Sequence, residues 1–269
     1  MDSVTIEYPT DWKDYELIDS GGGMKLERFG PHTIARSDPR AIWKPHTQNW
    51  TSDKLPTSWK ISYKHITFIL KPTQFKHVGV FPEQATNWNW IADRIHGENI
   101  KVLNLFAYTG GATLAAAAAG AQVTHVDAVH SAINWANENV VASGLKDKSI
   151  RWIEEDAMKF VIREAKRGNS YDAVILDPPR FGRGSKGEVW KIEEDLPKLL
   201  NEIKKILSPH PRFVLLNAYT ADLSPLVLHH LLADLVGNAN IEFGELALQE
   251  STGKRLLPSG IFARWSYLP

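Results

Sequence analysis

Hydrophobic and polar positions change their spacing near residue 95 of the chain. Before that point, short apolar segments such as "HTIAR", "WKISYKHITFIL" and "KHVGVF" alternate with Gly, Pro and Asp turns, a pattern typical of small antiparallel strands. After it, apolar runs of strand length alternate with longer segments of helical length. The pattern predicts two domains, a β-rich N-terminal domain over residues 1–90 and an α/β domain over residues 91–269.

The second region alternates strands with helices. Strands are predicted at 101–106, 122–126, 150–154, 172–176 and 212–216, and helices near 111–119, 130–142, 157–167 and 193–207. Such alternation is typical of a doubly wound, largely parallel sheet. After a further helix near 223–235, the segments "IEFGELALQE" and "IFARWSYL" flank a turn and predict an antiparallel hairpin. We therefore expect a Rossmann-like sheet of seven strands that ends in this hairpin.

The composition is that of a globular protein, with 269 residues, 43% of them hydrophobic and 23% charged. The acidic, polar start does not resemble a signal peptide, and no apolar stretch approaches the roughly 20 residues of a membrane span. We therefore expect a cytoplasmic protein without a membrane partner. The chain has no cysteine, which excludes disulfides, thiolate metal sites and a cysteine nucleophile. His32, His46 and His77 are spaced irregularly, so no metal site is predicted.

The net charge of zero conceals a segregation of charge along the chain. Residues 24–80 contain ten Lys or Arg against three acidic residues, and they include Trp43, Trp50 and Trp59. Basic side chains neutralise phosphates and aromatic rings stack on unpaired bases, so this segment is a candidate RNA-binding surface. A solvated charged face over buried tryptophans is the alternative.

Glycine or acidic residues follow the first three predicted strands of the second region. The first strand continues into "NLFAYTGGA", where Gly110 and Gly111 allow a tight turn with free backbone N–H groups but do not form the G-x-G-x-x-G of dinucleotide folds. Asp127 follows the second strand and Asp156 the third. Since such sheets bind ligands at the carboxyl ends of their strands, Asp127 could accept ribose hydroxyls and Asp156 an adenine amino group. Each could instead cap a helix.

The fourth strand ends in "VILDPPRF", residues 174–181. Asp177 leaves the strand, and Pro178 and Pro179 fix the backbone after it. A carboxylate and rigid carbonyl acceptors at a sheet edge can hold the amino group of a flat base, while Phe181 or Arg180 lies against the ring. A purely structural turn is the alternative.

The segments "VLNLFAYTGGATLA", "HVDA", "EEDA" and "LDPPRF" together resemble the motifs of class I S-adenosylmethionine-dependent methyltransferases, over most of residues 100–217. They look most like the 23S rRNA methyltransferases, both the cytosine-5 enzymes and the guanine-N7 half of the large fused enzyme. "HVGVFPEQ", residues 77–84, is similar to the G-x-[FY]-x-[DE]-Q segment that these enzymes place over the cofactor. The resemblance implies S-adenosylmethionine as cofactor, bound by Phe81, Gln84, Asn104, Phe106, Ala107, Tyr108, Thr109, Gly110, Gly111, Asp127, Ala128, Asp156, Ala157 and Asp177.

One departure separates this chain from the cytosine-5 enzymes. Those enzymes carry cysteines after the fifth strand, whereas "LLNAYTA" here has Asn217 and Tyr219. Methylation of pyrimidine carbon 5 in that way needs a thiolate that adds to the ring, so the reaction is excluded. The guanine-N7 relative has D-P-P-x-F and an asparagine, as this chain does. A nitrogen nucleophile already has a lone pair and needs mainly alignment with the methyl group.

The sequence thus predicts a methyltransferase that acts on a base nitrogen in ribosomal RNA, with guanine preferred. The expected catalytic residues are Asp177, Pro178, Pro179, Phe181 and Asn217. The expected substrate-binding residues are Arg180, Arg183 and Lys186, the last two in a glycine-rich loop, residues 182–188, predicted to be mobile. Three alternatives stay open: methylation of a protein or small molecule, cofactor binding without catalysis, and a nicotinamide-dependent oxidoreductase, which the missing G-x-G-x-x-G disfavours.

Overall fold

The computed structural model describes residues 3–73, 77–183, 187, 189–220, 222–237 and 240–267. Short antiparallel strands dominate its N-terminal region, as the sequence pattern predicts. The strands are β1 (Thr5–Glu7), β2 (Tyr15–Gly21), β3 (Met24–Phe29), β4 (His32–Ser37), β5 (Trp59–Tyr63) and β6 (Ile66–Leu70). β2, β3 and β4 form one small sheet, and β5 and β6 form a second.

The segment 77–81, predicted as a strand from "KHVGVF", is not one. Gly79 adopts φ +94°, outside the strand region, and a Cβ atom there would lie 2.1 Å from the Trp135 ring. The chain turns at this glycine because the indole packs directly on its backbone. It then forms a 3-10 turn (Pro82–Gln84) and the helix α1 (Ala85–Ala92), neither of which the sequence pattern predicted.

The second region alternates strands and helices as predicted. Its parallel strands are β7 (Lys101–Leu105), β8 (Gln122–Asp127), β9 (Ile150–Glu154), β10 (Ala173–Leu176) and, after a short hairpin of β11 (Phe181–Arg183) and β12 (Val189–Lys191), β13 (Phe213–Ala218). Its helices are α2 (Gly111–Ala118), α3 (His130–Ala142), α4 (Ala157–Lys166), α5 (Ile192–Ile203) and α6 (Pro225–Val236). The C-terminal hairpin consists of β14 (Ile241–Gln249) and β15 (Leu256–Ser266).

Within the described residues the main sheet has eight strands in the order β1-β14-β15-β13-β10-β7-β8-β9. β13, β10, β7, β8 and β9 are mutually parallel, and β15 is antiparallel to both β13 and β14. The predicted Rossmann-like sheet with its C-terminal hairpin is therefore confirmed. The eighth strand, β1, pairs in parallel with β14 and ties the start of the chain to the edge of this sheet.

Helices cover both faces of the sheet because its central strands are apolar on both sides. Every residue of β10 and β13 is buried. On one face, α4, α5 and α6 pack through a core that includes Phe160, Leu199 and Leu232. On the other face, α1 and α2 contribute Ile91 and Ala117 to a second core. No helix in the described part of the chain is long and apolar enough to cross a membrane.

The two small N-terminal sheets share a core with α1, α2 and α3, and aromatic rings form much of it. The ring centroids of Trp12 and Tyr63 are 4.8 Å apart, and those of Phe68 and Trp88 are 5.0 Å apart. Trp88 also lies against Gly111, where a Cβ atom would approach the indole to 2.6 Å. The aromatic core therefore reaches the glycine turn after β7. The division at residue 90 stays a prediction.

Asn139 on α3 links the N-terminal region to that turn. Its side chain is fully buried, its Oδ1 accepts the Ile69 N–H at 2.8 Å, and its Nδ2 donates to the Thr109 carbonyl at 2.9 Å. One amide thereby satisfies a backbone donor of β6 and a backbone acceptor of the turn. The Thr109 carbonyl belongs to a buried residue, and the Ile69 N–H to a half-buried one, so water is a poor substitute for the amide at Thr109.

We predict that Asn139→Ala lowers the free energy of unfolding by roughly 1–3 kcal/mol, because it leaves the buried Thr109 carbonyl and the half-buried Ile69 N–H without their partner. Asn137→Ala is the matched control, since it makes the same change on an exposed position of the same helix. Urea denaturation of both variants measures the difference. Equal stability of the two variants would contradict the linking role of Asn139.

Candidate active site

The predicted site residues converge at the carboxyl edge of the sheet. Leu105, at the end of β7, is in register with Val126 of β8 and Leu176 of β10. Leu176 is in turn in register with Leu216 of β13. Four adjacent strands therefore end at the same level of the sheet. They lead to the turn after β7, Asp127, the "DPPR" segment and Asn217.

The turn after β7 has an uncommon backbone conformation. Phe106 and Tyr108 have φ values of +57° and +48°, and Gly110 has +87°. Left-handed conformations in residues with a side chain are uncommon and concentrate at functional sites. The turn is fixed by backbone hydrogen bonds from Ala107 N–H to the Val126 carbonyl (3.1 Å) and from Gly110 N–H to the Ala107 carbonyl (3.0 Å).

Asp127 anchors the same turn. Its Oδ2 accepts the Tyr108 N–H at 2.8 Å and its Oδ1 accepts the Val129 N–H at 2.9 Å. Burial raises the pKa of this carboxyl, and its backbone hydrogen bonds oppose the rise. Each carboxylate oxygen keeps a second lone pair, so the group can still accept ligand hydroxyls. Its predicted contact with ribose stays a prediction.

Asp156 caps helix α4, the structural alternative that the sequence left open. Its Oδ1 accepts the Lys159 N–H at 2.9 Å. Asn104 also has a structural partner, because its buried Nδ2 donates to Thr113 Oγ1 at 2.9 Å. Thr113 Oγ1 in turn lies 2.9 Å from His125 Nδ1. The cofactor contacts predicted for Asp156 and Asn104, and for Ala128 and Ala157 beside the acids, stay predictions.

Asp177 presents an unpaired acceptor at the centre of this edge. Its Oδ1 is buried and has no hydrogen-bond partner among the described residues. Burial, with a smaller contribution from the nearby Glu83 carboxylate, raises its pKa to about 7. The Pro179 carbonyl accepts the Trp190 Nε1–H at 2.7 Å, and the role of the Pro178 carbonyl as a second acceptor beside Asp177 stays a prediction. An orphaned buried acceptor of this kind fits a ligand that donates an N–H or O–H.

The residues after the prolines have different surroundings. Phe181 opens the short β11 strand and is 53% exposed, so its ring is accessible to a ligand. Arg180 forms an ion pair with Asp222 and lies 3.8 Å from Glu193, so acids already surround its guanidinium. The side chain of Arg183 and the whole of Lys186 lie outside the described residues.

Asn217 belongs to a buried amide network. Asn87 Nδ2 donates both to Asn217 Oδ1 and to Gln84 Oε1, each at 2.9 Å. Arg264 Nη1 donates to Asn87 Oδ1 at 3.2 Å and orients that amide. Gln84 Nε2 is buried and has no partner within the described chain. The network therefore offers a donor at the same edge as the Asp177 acceptor, and sequence reasoning missed Asn87 and Arg264, which no motif marks.

Sequence reasoning also missed Glu83 and Tyr219. The Tyr219 hydroxyl donates a hydrogen bond to Glu83 Oε1, and the Glu83 side chain is buried. Burial raises the pKa of Glu83 above its usual range. Phe81, predicted to lie over the cofactor, packs between Tyr219 and Tyr108 with ring centroids 5.3 Å and 5.7 Å away. Glu83 occupies the [DE] position of the motif at 77–84, and this position was the sequence signal that could have identified it as a site residue.

The basic segment 24–80 is largely neutralised by its own neighbours. Trp59 is buried and donates its indole N–H to the Phe29 carbonyl at 3.1 Å, so its role is structural. Six of the described basic side chains form ion pairs with acids, and they are Lys25, Arg28, Arg36, Arg40, Lys64 and Lys71. The exposed Lys54 and Lys60 remain candidates for contact with phosphates.

One cluster in the described chain has the composition of a metal site. Ligand atoms of Asp19, His46 and Glu250 lie within 4.8 Å of one another. Asp19 Oδ2 is occupied by the Thr47 N–H and hydroxyl, both at 2.7 Å. Arg255 Nε lies 3.7 Å from Glu250 Oε2 and already supplies positive charge. We assign no ion to this cluster.

The sequence matches the family model of S-adenosylmethionine-dependent methyltransferases over residues 16–228. It is 32% identical over 152 residues to the ribosomal RNA large subunit methyltransferase K/L of Shewanella frigidimarina (strain NCIMB 400), covering 56% of this chain and 21% of that one. The same enzyme of Shewanella baltica (strain OS155 / ATCC BAA-1091) is 33% identical with the same coverage. The chain therefore spans about a fifth of the length of these curated relatives.

Two solved structures are similar over nearly the whole chain. The SAM-dependent methyltransferase from Agrobacterium tumefaciens has a TM-score of 0.92 and 40% identity, covering 97% of this chain and 93% of that one. SMU.776, assigned to the methyltransferases and solved in complex with S-adenosylhomocysteine, has a TM-score of 0.73 over 95% of this chain and 76% of its own. At 18% identity, the second comparison supports the fold alone.

The pKa of Asp177 predicts how stability depends on pH. The folded state binds more protons than the unfolded state between pH about 4 and about 7, so the free energy of unfolding falls as pH rises through this window. Asp177→Asn removes this pH dependence. We therefore expect its free energy of unfolding, relative to that of wild type, to rise by on the order of 1–2 kcal/mol between pH 4 and pH 8. Denaturation at both pH values measures the gain. Asp147→Asn, at an exposed loop position, is the control, and the idea fails if both variants behave alike.

Proposed function

The chain belongs to the S-adenosylmethionine-dependent methyltransferase family, and from this premise we propose that it methylates a nitrogen of a base, with guanine preferred, in ribosomal RNA. The observation that carries the proposal is the buried, unpaired Asp177 Oδ1 beside Pro178 and the exposed ring of Phe181. This set offers acceptors for the amino edge of a base and a ring for stacking. The ribosomal RNA methyltransferases among its relatives support the substrate class.

The cofactor is S-adenosylmethionine, and the residues at the sheet edge fit it. The orphaned Gln84 Nε2 is a buried donor of the kind that a polar ligand satisfies, and the Asp127 carboxylate keeps free lone pairs beside the turn. In this proposal the turn at 106–111 holds the methionine part, Asp127 accepts the ribose hydroxyls and Asp156 accepts the adenine amino group. When bound, the cofactor supplies an activated methyl group.

The protein's contribution to the reaction is alignment of the target nitrogen. Asp177 and the Pro178 carbonyl accept N–H groups of the base, Phe181 stacks on its face, and the amide of Asn217 supports the position through Gln84. Held in this way, the nitrogen lone pair points toward the methyl group without a covalent enzyme intermediate. Orientation of this kind lowers the barrier because the reacting atoms are already close.

A methyltransferase acting on a protein or small molecule is the second candidate. The observation that favours it is the pairing of six basic side chains in the segment 24–80 with acids, which leaves less free positive charge for phosphates. RNA binding then depends on basic side chains that have no acidic partner among the described residues, such as Lys54 in the loop before β5 and Lys60 on β5.

We predict that Asp177→Ala lowers methyl transfer to ribosomal RNA by on the order of a hundredfold or more, since the reacting nitrogen loses its alignment. Cofactor affinity, measured by calorimetry, should stay within a few fold, whereas Asp127→Ala should weaken it through lost hydrogen bonds of roughly 0.5–1.5 kcal/mol each. Digestion of the methylated RNA should release a nitrogen-methylated base. A 5-methylpyrimidine, or full turnover by Asp177→Ala, would overturn the proposal.

The exposed lysines give a separate prediction about RNA binding. Replacement of Lys54 and Lys60 by glutamate should weaken binding and reduce the slope of log affinity against log salt, because fewer counterions are released. Replacement of Lys166 and Lys204, two exposed positions outside this segment, by glutamate is the charge-matched control and should leave the slope nearly unchanged. Filter binding from about 50 to 200 mM salt measures the slope. A slope near zero for the wild-type protein would favour the protein or small-molecule substrate.

A further inference from the structure

A chain of hydrogen bonds runs from the edge of the main sheet to the candidate active site. It begins at Arg264 on β15, which is 2% exposed. Arg264 Nη2 donates to Glu7 Oε1 on β1 and, at 2.9 Å, to Glu242 Oε2 on β14. Its Nη1 donates to Glu7 Oε2 at 3.1 Å and to Asn87 Oδ1 at 3.2 Å. The guanidinium thus joins the two outermost strands at this edge to Asn87 on α1.

Two aromatic rings fix the place of this guanidinium. Its central carbon lies 4.2 Å from the ring centroid of Phe262 and 5.2 Å from that of Trp90. The carboxylates of Glu7 and Glu242 balance its positive charge, and a buried charge needs such partners. Arg264 is therefore a rigid group that offers N–H donors and no acceptor.

Arg264 determines which way round the Asn87 amide lies. The two ends of an amide have almost the same shape but opposite hydrogen-bonding roles. Since Arg264 can only donate, the Asn87 oxygen must face it and the nitrogen must face the other way. Asn87 Nδ2 accordingly donates to Gln84 Oε1 and Asn217 Oδ1, each at 2.9 Å, and Asn87 is 1% exposed. All of its hydrogen-bonding groups are used inside the protein.

The same constraint passes from Asn87 to Gln84. The Gln84 oxygen faces Asn87, so its Nε2 points away from Asn87, where it is buried without a partner among the described residues. Burial raises the pKa of Tyr219, and the nearby Gln84 amide opposes this rise. Because the amide nitrogen carries two N–H groups, one remains for a ligand even if the Tyr219 oxygen takes the other.

Two buried nitrogen atoms of this network lack partners in the described chain, Arg264 Nε and Gln84 Nε2. Arg264 Nε belongs to a cation whose charge Glu7 and Glu242 already share. Gln84 Nε2 belongs to a neutral amide, so nothing offsets its missing hydrogen bond. An unpartnered donor of this kind at the edge of the candidate site indicates a ligand with an acceptor.

We infer that Arg264 and Asn87 are positioning residues that keep a hydrogen-bond donor, and not an acceptor, at Gln84 for S-adenosylmethionine. The inference rests on the proposed placement of the cofactor at this edge and holds for any methyl acceptor. The segment before Gln84 contacts the turn at 106–111, since the Thr109 hydroxyl donates to the Gly79 carbonyl at 2.7 Å. S-adenosylmethionine offers acceptors on its carboxylate, ribose and adenine, so a donor fits it and an amide oxygen in the same place would be repelled.

Asn87→Asp tests this polarity without changing the size of the side chain. The new carboxylate pairs with Arg264 but has no donor, so Gln84 must turn its N–H groups toward it and leave its oxygen facing the cofactor. Calorimetry at pH 8 should show the affinity for S-adenosylhomocysteine reduced by on the order of tenfold or more. Asn89→Asp places the same charge at a half-buried position of α1, and this control should bind within a few fold of wild type.

A double-mutant cycle separates this effect from a general disturbance of the fold. Gln84→Met removes the amide and should weaken binding by a factor similar to that of Asn87→Asp. Adding Asn87→Asp to Gln84→Met should cause no further loss, because no amide is left to turn. Full additivity of the two losses, or wild-type affinity in Gln84→Met, overturns the inference.

Arg264 is tested by a conservative pair of variants. Arg264→Met removes the donor that orients Asn87 and should weaken S-adenosylhomocysteine binding, whereas Arg264→Lys keeps a charged donor and should lose less. Asn87→Asp, which retains the pairing with Arg264, decides the question if Arg264→Met does not fold. Unchanged affinity in Asn87→Asp overturns the inference.

Nitrogen-15 NMR of side-chain amides gives a readout that does not depend on turnover. The Gln84 signal is assigned by its loss in Gln84→Met. Saturating S-adenosylhomocysteine should shift it strongly in wild type and much less in Asn87→Asp, and an unshifted wild-type signal overturns the inference. Failure to methylate any RNA base, with these binding results intact, would overturn the proposed function and leave the inference standing.

Discussion

The site depends on a backbone turn whose conformation its own residues disfavour. Phe106 and Tyr108 adopt left-handed conformations that cost residues with a side chain on the order of 1–3 kcal/mol each. Contacts from outside the turn offset this cost. Asp127 accepts the Tyr108 N–H, Asn139 donates to the Thr109 carbonyl, and the Thr109 hydroxyl donates to the Gly79 carbonyl at 2.7 Å. The turn therefore holds its shape before a ligand arrives.

The N-terminal region takes part in the site through this docking. Gly79 and Gly111 let two indoles, Trp135 and Trp88, approach the backbone more closely than any side chain would permit. Lys25 and Arg40 of the same region oppose the rise that burial causes in the pKa of Glu83. Packing and electrostatics at the sheet edge thus have one cause: the packing of the first 90 residues against α2 and α3.

Much of the fold followed from the pattern of the sequence. The parallel strands, their helices and the C-terminal hairpin were predicted within a few residues because their periodicity and length are local properties. The segment 77–81 was predicted wrongly, since its alternation suggests a strand but the Trp135 indole fixes Gly79 in another conformation. Helix α1 was missed, and so was the place of β1 beside β14, which joins residues more than 230 positions apart.

The sequence by itself determined the chemistry that is available: a carboxylate followed by two prolines, a glycine turn, and no cysteine for covalent catalysis. Only the tertiary structure decided which of these groups are unpaired. Asp156 and Asp177 both follow strands, but Asp156 caps a helix while Asp177 Oδ1 is buried without a partner. The basic segment 24–80 shows the same difference between sequence and structure. Its positive charges can be read from the sequence, but in the folded chain most of them are paired with acids. The physical reason is that burial and pairing depend on neighbours distant along the chain, as Glu83 and Tyr219 are from Asp177.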